Sequence, residues 1–77
     1  MQEVKILLET IERIKKFVTI TNQYDTDFDL VSGRYIIDAK SILGIFSIDL
    51  SKPVDLRIHA EQDEAEKILE ALREYIV

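Results

Sequence analysis

The sequence predicts an α+β domain: an open-faced β-sandwich of element order β-α-β-β-α-β-α, with three helices on one face of a four-stranded antiparallel sheet. Three observations predict it. Four short segments alternate apolar and polar residues with a period of two, and two longer ones place apolar residues at helical spacing. Each strand segment has one apolar face and one mixed or polar face, which suits a sheet covered on a single side. Ser32-Gly33 stands between the second and third strand segments as a two-residue turn, so those strands form an antiparallel hairpin.

Val4, Ile6 and Leu8 alternate with Glu3, Lys5 and Leu7, the pattern of a half-buried strand. Thr10 follows as the N-cap of a helix whose apolar positions are Ile11, Ile14, Phe17, Val18 and Thr21. The β-branched residues of FVTIT favour strand locally and blur the end of that helix. Phe28 and Leu30 alternate with Asp27 and Asp29 in the second strand, and Gly33 supplies the positive φ that the turn needs. Tyr35, Ile37 and Ala39 form the inward face of the third strand. Pro53 breaks the chain before the fourth, where Val54, Leu56 and Ile58 alternate with Asp55, Arg57 and His59. Ala65, Ile68, Leu69, Leu72 and Ile76 then follow helical spacing, with Glu61, Asp63 and Glu64 in a first turn that favours negative charge.

Between the third and fourth strands lies DAKSILGIFSIDLSKP, Asp38 to Pro53, with six large apolar residues in nine positions: Ile42, Leu43, Ile45, Phe46, Ile48 and Leu50. Phe46, Ile48 and Leu50 alternate with Ser47, Asp49 and Ser51, which is strand-like. Ser41, however, is a good N-cap, and Ile42, Leu43, Ile45 and Phe46 would surround one or two helical turns at a cost of about 1 kcal/mol for Gly44. We read a short helix from about Ser41 to Ser47, followed by an extended tail. So short a helix cannot bury every side, and the apolar surface left over marks a binding site.

At 77 residues the chain is one domain, 1–77, near the lower size for an unassisted core, and its 47% apolar content is enough to build one. The absence of cysteine excludes disulfides and thiolate metal sites, and His59, the single histidine, cannot make a zinc site of the usual type. DTDFD, Asp25 to Asp29, resembles the start of a calcium loop, but Leu30 and Ile36 occupy the positions that need glycine and glutamate. No metal and no cofactor are expected. Fifteen acidic against ten basic residues give a net charge of −5, which disfavours nucleic acid as a partner. The apolar runs are too short to span a bilayer and Met1-Gln2-Glu3 lacks the basic start of a secretion signal, so a cytoplasmic location is expected. The carboxylates form no pair beside a glycine-rich loop or apolar pocket that would tune them, so the chain does not read as an enzyme. His59 shares a solvated sheet face with Asp55 and Arg57, and Arg13, Lys15 and Lys16 read as the solvated side of the first helix.

SGRYIIDAKSILGIFSIDL resembles the strand, Lys-Ser pair, short apolar helix and following loop of the HPr family, the small phosphocarriers of the bacterial sugar phosphotransferase system. The likeness runs from about Asp27 to the C-terminus and loosely covers the first helix. It implies the HPr-like open-faced β-sandwich, in the element order given above. HPr proteins carry a loop between first strand and first helix with Gly, a phosphorylated His, Ala, Arg and Pro. Here that junction reads ILLETIER, Ile6 to Arg13, without histidine, glycine or proline, and the strand is expected to run straight into the helix. The resemblance thus implies a member lacking the active-site histidine, nearest in type to Crh, which acts only through its serine and its partner.

Ser41 matches the regulatory serine of the family, and Lys40, Ile42, Leu43 and Phe46 fall on its docking surface for a kinase, the phosphotransferase enzyme and a transcriptional regulator. Two uses of Ser41 stay open. As a neutral cap it contributes about 1 kcal/mol. As a phosphorylation site it would take a charge of about −2 at a helix N-terminus beside Lys40. The function expected is a non-catalytic regulatory or interaction module. The alternatives are an interaction or dimerisation domain without phosphate, or a divergent phosphocarrier-related protein of the phosphotransferase system.

Overall fold

Period-two alternation places the strands where the sequence predicts them. The computed structural model describes residues 1–77, with β1 (Gln2–Ile6), β2 (Asp27–Ser32), β3 (Tyr35–Asp38) and β4 (Val54–His59) in one sheet of order β1-β4-β2-β3. Every neighbouring pair is antiparallel. The helices α1 (Ile11–Thr21), α2 (Ile42–Ile45) and α3 (Gln62–Ala71) follow β1, β3 and β4 in turn, and a 3₁₀ turn, Arg73–Tyr75, closes the chain. The chain is therefore two interleaved β-α-β units, each with the other's strand inserted between its own two.

One sheet face meets the helices. Ile6, Phe28, Leu30, Val54, Leu56 and Ile58 are buried there against Ile14 and Phe17 of α1, Ile45 of α2 and Ala65, Ile68 and Leu72 from the α3 segment. The other face is a row of charges held across strands: Lys5 to Asp55 at 2.9 Å, Arg57 to Glu3 at 2.9 Å and His59 Nε2 to Asp29 Oδ2 at 2.6 Å. Exposed pairs of this kind are worth at most about 1 kcal/mol each, so they set register and solubility more than stability. The two buried threonines are satisfied. Thr21 donates to the Val18 carbonyl at 3.1 Å and Thr26 to a Glu64 carboxylate oxygen.

Several side chains lie elsewhere than the sequence suggests. The hairpin turn is Gly33-Arg34, because Ser32 still pairs with Tyr35; Gly33 takes φ +59° at the first central position, as a type II′ connection requires. Tyr35 shares the inward parity of Ile37 and Ala39 yet is 69% exposed, since the hairpin tip outruns the helices. Ile11 is exposed in the first turn of α1. The last helix stops at Ala71, so Ile76 lies beyond it and bridges Ile6, while Tyr75 takes the buried position.

Arg13 departs furthest from its expected place on a solvated face. It is half-buried where three carbonyls converge, donating from Nε to Leu8 at 3.0 Å and from Nη2 to Leu7 at 2.9 Å and Glu74 at 3.1 Å. Its guanidinium lies 4.7 Å over the ring of Tyr75. The Tyr75 hydroxyl donates back to the Arg13 carbonyl at 3.2 Å, and its ring meets Phe17 edge-on with centroids 5.5 Å apart. Lys16 pairs with the Glu74 carboxylate at 2.8 Å, and that contact holds Glu74 below its ordinary pKa.

Burial, reinforced by the nearby Glu74, pushes the Tyr75 phenol above its ordinary pKa. The folded state then holds this proton more tightly than the unfolded chain does. The resulting stability is complete below about pH 10 and is lost as pH rises through the folded value. Tyr75→Phe is expected to cost about 1 kcal/mol near neutral pH, through the lost hydrogen bond to the Arg13 carbonyl. It should also flatten the alkaline fall in stability. Urea titrations of both proteins at about pH 7 and about pH 10.5 check the pair of effects.

Candidate functional site

The segment between β3 and β4 starts as a capped helix. Ser41 has extended backbone (φ −98°, ψ 109°), and its Oγ accepts from the Gly44 N–H at 3.1 Å. Its carbonyl accepts from Ile45 at 3.0 Å, and Phe46 donates to Ile42 at 3.1 Å. A Cβ added at Gly44 would lie 3.3 Å from Ser41 Oγ and 3.6 Å from Ile37 Cβ. Glycine thus lets the cap and the strand below come close, which offsets its poor helix propensity.

The apolar residues of α2 divide by face. Ile45 is fully buried and Ile42 packs half-buried against the core, whereas Leu43 is 80% exposed and Phe46 43% exposed. Lys40, which precedes the cap, folds back on the body of the protein. Its ammonium donates to the Tyr24 carbonyl at 2.5 Å and sits 5.7 Å from the Phe28 ring.

Beyond α2 the chain makes successive turns in place of the expected extended tail. Ser47 Oγ donates to the Gly44 carbonyl at 2.5 Å, and the Asp49 carboxylate accepts from Ser51 N–H at 3.0 Å and Ser51 Oγ at 2.6 Å. Those bonds hold the Asp49 carboxyl below its ordinary pKa. Short polar side chains bonded to nearby backbone displace strand pairing here. Ile48 and Leu50 pack against the core as they pass.

The loop reaches the β1–α1 junction, where the Glu9 N–H donates to the Leu50 carbonyl at 3.1 Å. That junction does not run straight on. Thr10 N–H donates to the Leu8 carbonyl at 2.8 Å and Glu9 takes φ +65°, which makes Leu8-Glu9-Thr10 a γ-turn of the rare positive-φ kind. Thr10 then caps α1, its Oγ1 accepting from the Arg13 N–H at 3.2 Å. No histidine stands in this junction. His59 lies on β4, on the sheet face away from the helices, paired with Asp29.

The site is thus the exposed apolar side chains of Leu43 and Phe46 on a capped helix whose following loop bonds to the strained turn at Glu9. No group of three His, Cys, Asp or Glu side chains is arranged to hold a metal ion, and no helix is long and apolar enough to cross a membrane. The division between Ile45 inward and Leu43 outward, and the turn at Glu9, carry no mark in the sequence. Glu9 in particular stands where a glycine would have signalled the positive φ.

The family described as PTS-HPr, "PTS HPr component phosphorylation site", matches residues 12–77, opening just past that turn. No curated protein matches. Two solved structures are similar. HPr-C-His from Thermoanaerobacter tengcongensis shares 27% identity at a TM-score of 0.76, over 96% of this chain and 92% of that one. The phosphocarrier protein HPr from Bacillus anthracis str. Ames shares 26% at 0.73, over 99% and 94%.

Glu9→Gly relieves the unfavourable φ without moving any side chain of the core. It is expected to raise stability by about 1 kcal/mol, against the usual cost of adding glycine. Thermal melts of the two proteins check the sign.

Proposed function

The chain belongs to the PTS-HPr family, and on that premise we propose that it is an HPr-like regulatory interaction module that carries no phosphate on histidine and docks its partners through the Ser41–Phe46 segment. The observation that carries this reading is the exposure of Leu43 and Phe46 on a helix whose opposite side is locked by Ile45. A buried leucine gains about 1.5–3 kcal/mol over an exposed one, so Leu43 gives nothing to the fold where it stands and has that gain to offer a partner. The surroundings of α2 are fixed by the Ser41 cap and the turns after it. A preformed surface of this kind binds with little ordering cost.

A phosphohistidine carrier needs a nucleophilic imidazole at a helix N-terminus whose amides stabilise the added charge. At α1 that place is held by Thr10, an alcohol already accepting from the Arg13 N–H. A phosphate ester there would be too stable to pass on. His59, paired with Asp29 on the opposite sheet face, is remote from any such terminus.

A second reading makes Ser41 a target for a serine kinase, with a transcriptional regulator or a second copy as the reader of the phosphate. Its support is the position of the Ser41 hydroxyl at the start of α2, facing the Gly44 N–H. Against it, Lys40 is engaged with Tyr24 and does not reach toward Ser41 as a counter-charge.

Incubation with the phosphotransferase enzyme and phosphoenolpyruvate is expected to leave the mass of the protein unchanged. A gain of one phosphate, lost in His59→Ala, would overturn the claim that it carries none. Leu43→Asp and Phe46→Ser should each change the unfolding free energy by no more than about 0.5 kcal/mol, the usual range for surface changes. Each should weaken binding to the phosphotransferase enzyme or to the serine kinase at least about tenfold by calorimetry. Wild-type affinity in both variants sinks the docking site. The mass of the protein recovered from its own cells, compared with Ser41→Ala, decides whether Ser41 carries phosphate.

A further inference from the structure

The two edges of the sheet are finished differently. β1 is covered by the C-terminal segment: Leu7 N–H donates to Tyr75 at 2.8 Å, Val77 N–H donates to Lys5 at 3.0 Å, and Ile76 bridges Ile6. β3 is covered only at its end, where the Asp38 carbonyl accepts from the Ser41 N–H at 3.0 Å. Ala39 N–H donates to the Phe28 carbonyl at 3.0 Å, and in an antiparallel pair bonded and non-bonded positions alternate. Leu30 with Ile37 and Ser32 with Tyr35 are therefore bonded pairs, and Ile36, opposite Val31, turns both its N–H and its carbonyl away from β2. No loop or terminus bonds to either group. The side chains beside them, Ile36 and Tyr35, are 61% and 69% exposed.

We infer that β3 pairs antiparallel with β3 of a second copy of this chain, about a two-fold axis at Ile36, to make one continuous eight-stranded sheet. The register follows from charge and parity. Centred on Ile36, the outward N–H and carbonyl of each Ile36 meet those of the other, and Arg34 of each copy stands opposite Asp38 of its partner. Tyr35 stands opposite the second copy's Ile37 on the helix side, an aromatic to β-branched pair of the kind that stabilises sheets. Centring on Ile37 would instead set Arg34 against Lys40, two like charges. A one-residue slip would oppose Ile36 to a strand position whose backbone groups point inward. The C-terminal segment occupies the β1 edge at Lys5 to Leu7 and leaves only its start free, so strand addition is favoured at β3 and the assembly is expected to end at two chains.

The full chain is the material for the test, by sedimentation velocity from micromolar to about 1 mM concentration. A reversible dimer is expected, with the Ile36 amide gaining protection from hydrogen exchange as concentration rises. Arg34→Glu and Asp38→Lys each create two like-charge pairs in their own dimer and should each weaken it about tenfold or more. Their equimolar mixture restores both opposite-charge pairs, because each introduced residue faces the other, and should dimerise like the unmodified chain. Melting curves at monomeric concentration separate this effect from loss of the Asp38 bond to the Lys40 N–H. A chain that stays monomeric throughout overturns the inference. So does a mixture no tighter than its components, or association that shifts the amide signals of Leu43 and Phe46 and leaves Ile36 unchanged.

Discussion

The guanidinium of Arg13 ties three parts of the chain together: the stretch just past β1, the first turn of α1 and the C-terminal turn. Its two donor nitrogens collect carbonyls from the end of β1 and from the C-terminal turn, and its plane covers the ring of Tyr75. Tyr75 returns the contact through its hydroxyl, so the first turn of α1 and the last turn of the molecule are bonded in both directions. The Leu8 carbonyl also accepts from Thr10 N–H, but the part-buried Leu7 carbonyl relies on Arg13, and an unpaired buried polar group costs about 1–3 kcal/mol. The clamp sits where the sharp turn at Glu9, the capped start of α1 and the C-terminal cover on the β1 edge come together.

The same economy explains how a domain this small divides its surfaces. One sheet face carries the whole core, and no residue on the other face is asked to exclude water. Since the two β-α-β units interleave, α1 and α2 each cross over a strand belonging to the other unit. Ile45 can therefore be sunk into a shared core while Leu43, two residues earlier, remains outside. A four-residue helix positions its exposed side well only because its buried side is so firmly seated.

How much of this was legible depends on the kind of signal. The strands could be read because their side chains alternate with a period of two, and the cap at Ser41 because serine before an apolar run has one obvious use. Alternation reports which face a residue takes, but says nothing of whether a helix lies over it. The pattern puts Tyr35 and Ile11 on apolar faces, yet both are exposed, one past the end of the helical layer and one in the first turn of α1. Arg13 was illegible for another reason: an arginine beside two lysines looks like solvated surface, and the carbonyls that hold it come from residues 5 and 61 positions away. Of the candidate site, the segment and its cap were visible; which apolar residue points outward was not, since Ile42, Leu43, Ile45 and Phe46 surround the helix on every side.

The pairing of β1 with β4 sets a condition on how the protein is made. Lys5 and Asp55 stand 50 residues apart in the chain and Arg13 and Glu74 stand 61 apart, so contacts of long sequence range hold the β1 end of the fold. On the ribosome β1 emerges early and has no neighbour to pair with, because β2 lies beyond β4 in the sheet. The hairpin of β2 and β3 can close by itself, but the strand between it and β1 is synthesised only after α2. The sheet therefore closes only once β4 has been made, and until then β1 is an open edge that a chaperone or a neighbouring nascent chain can occupy.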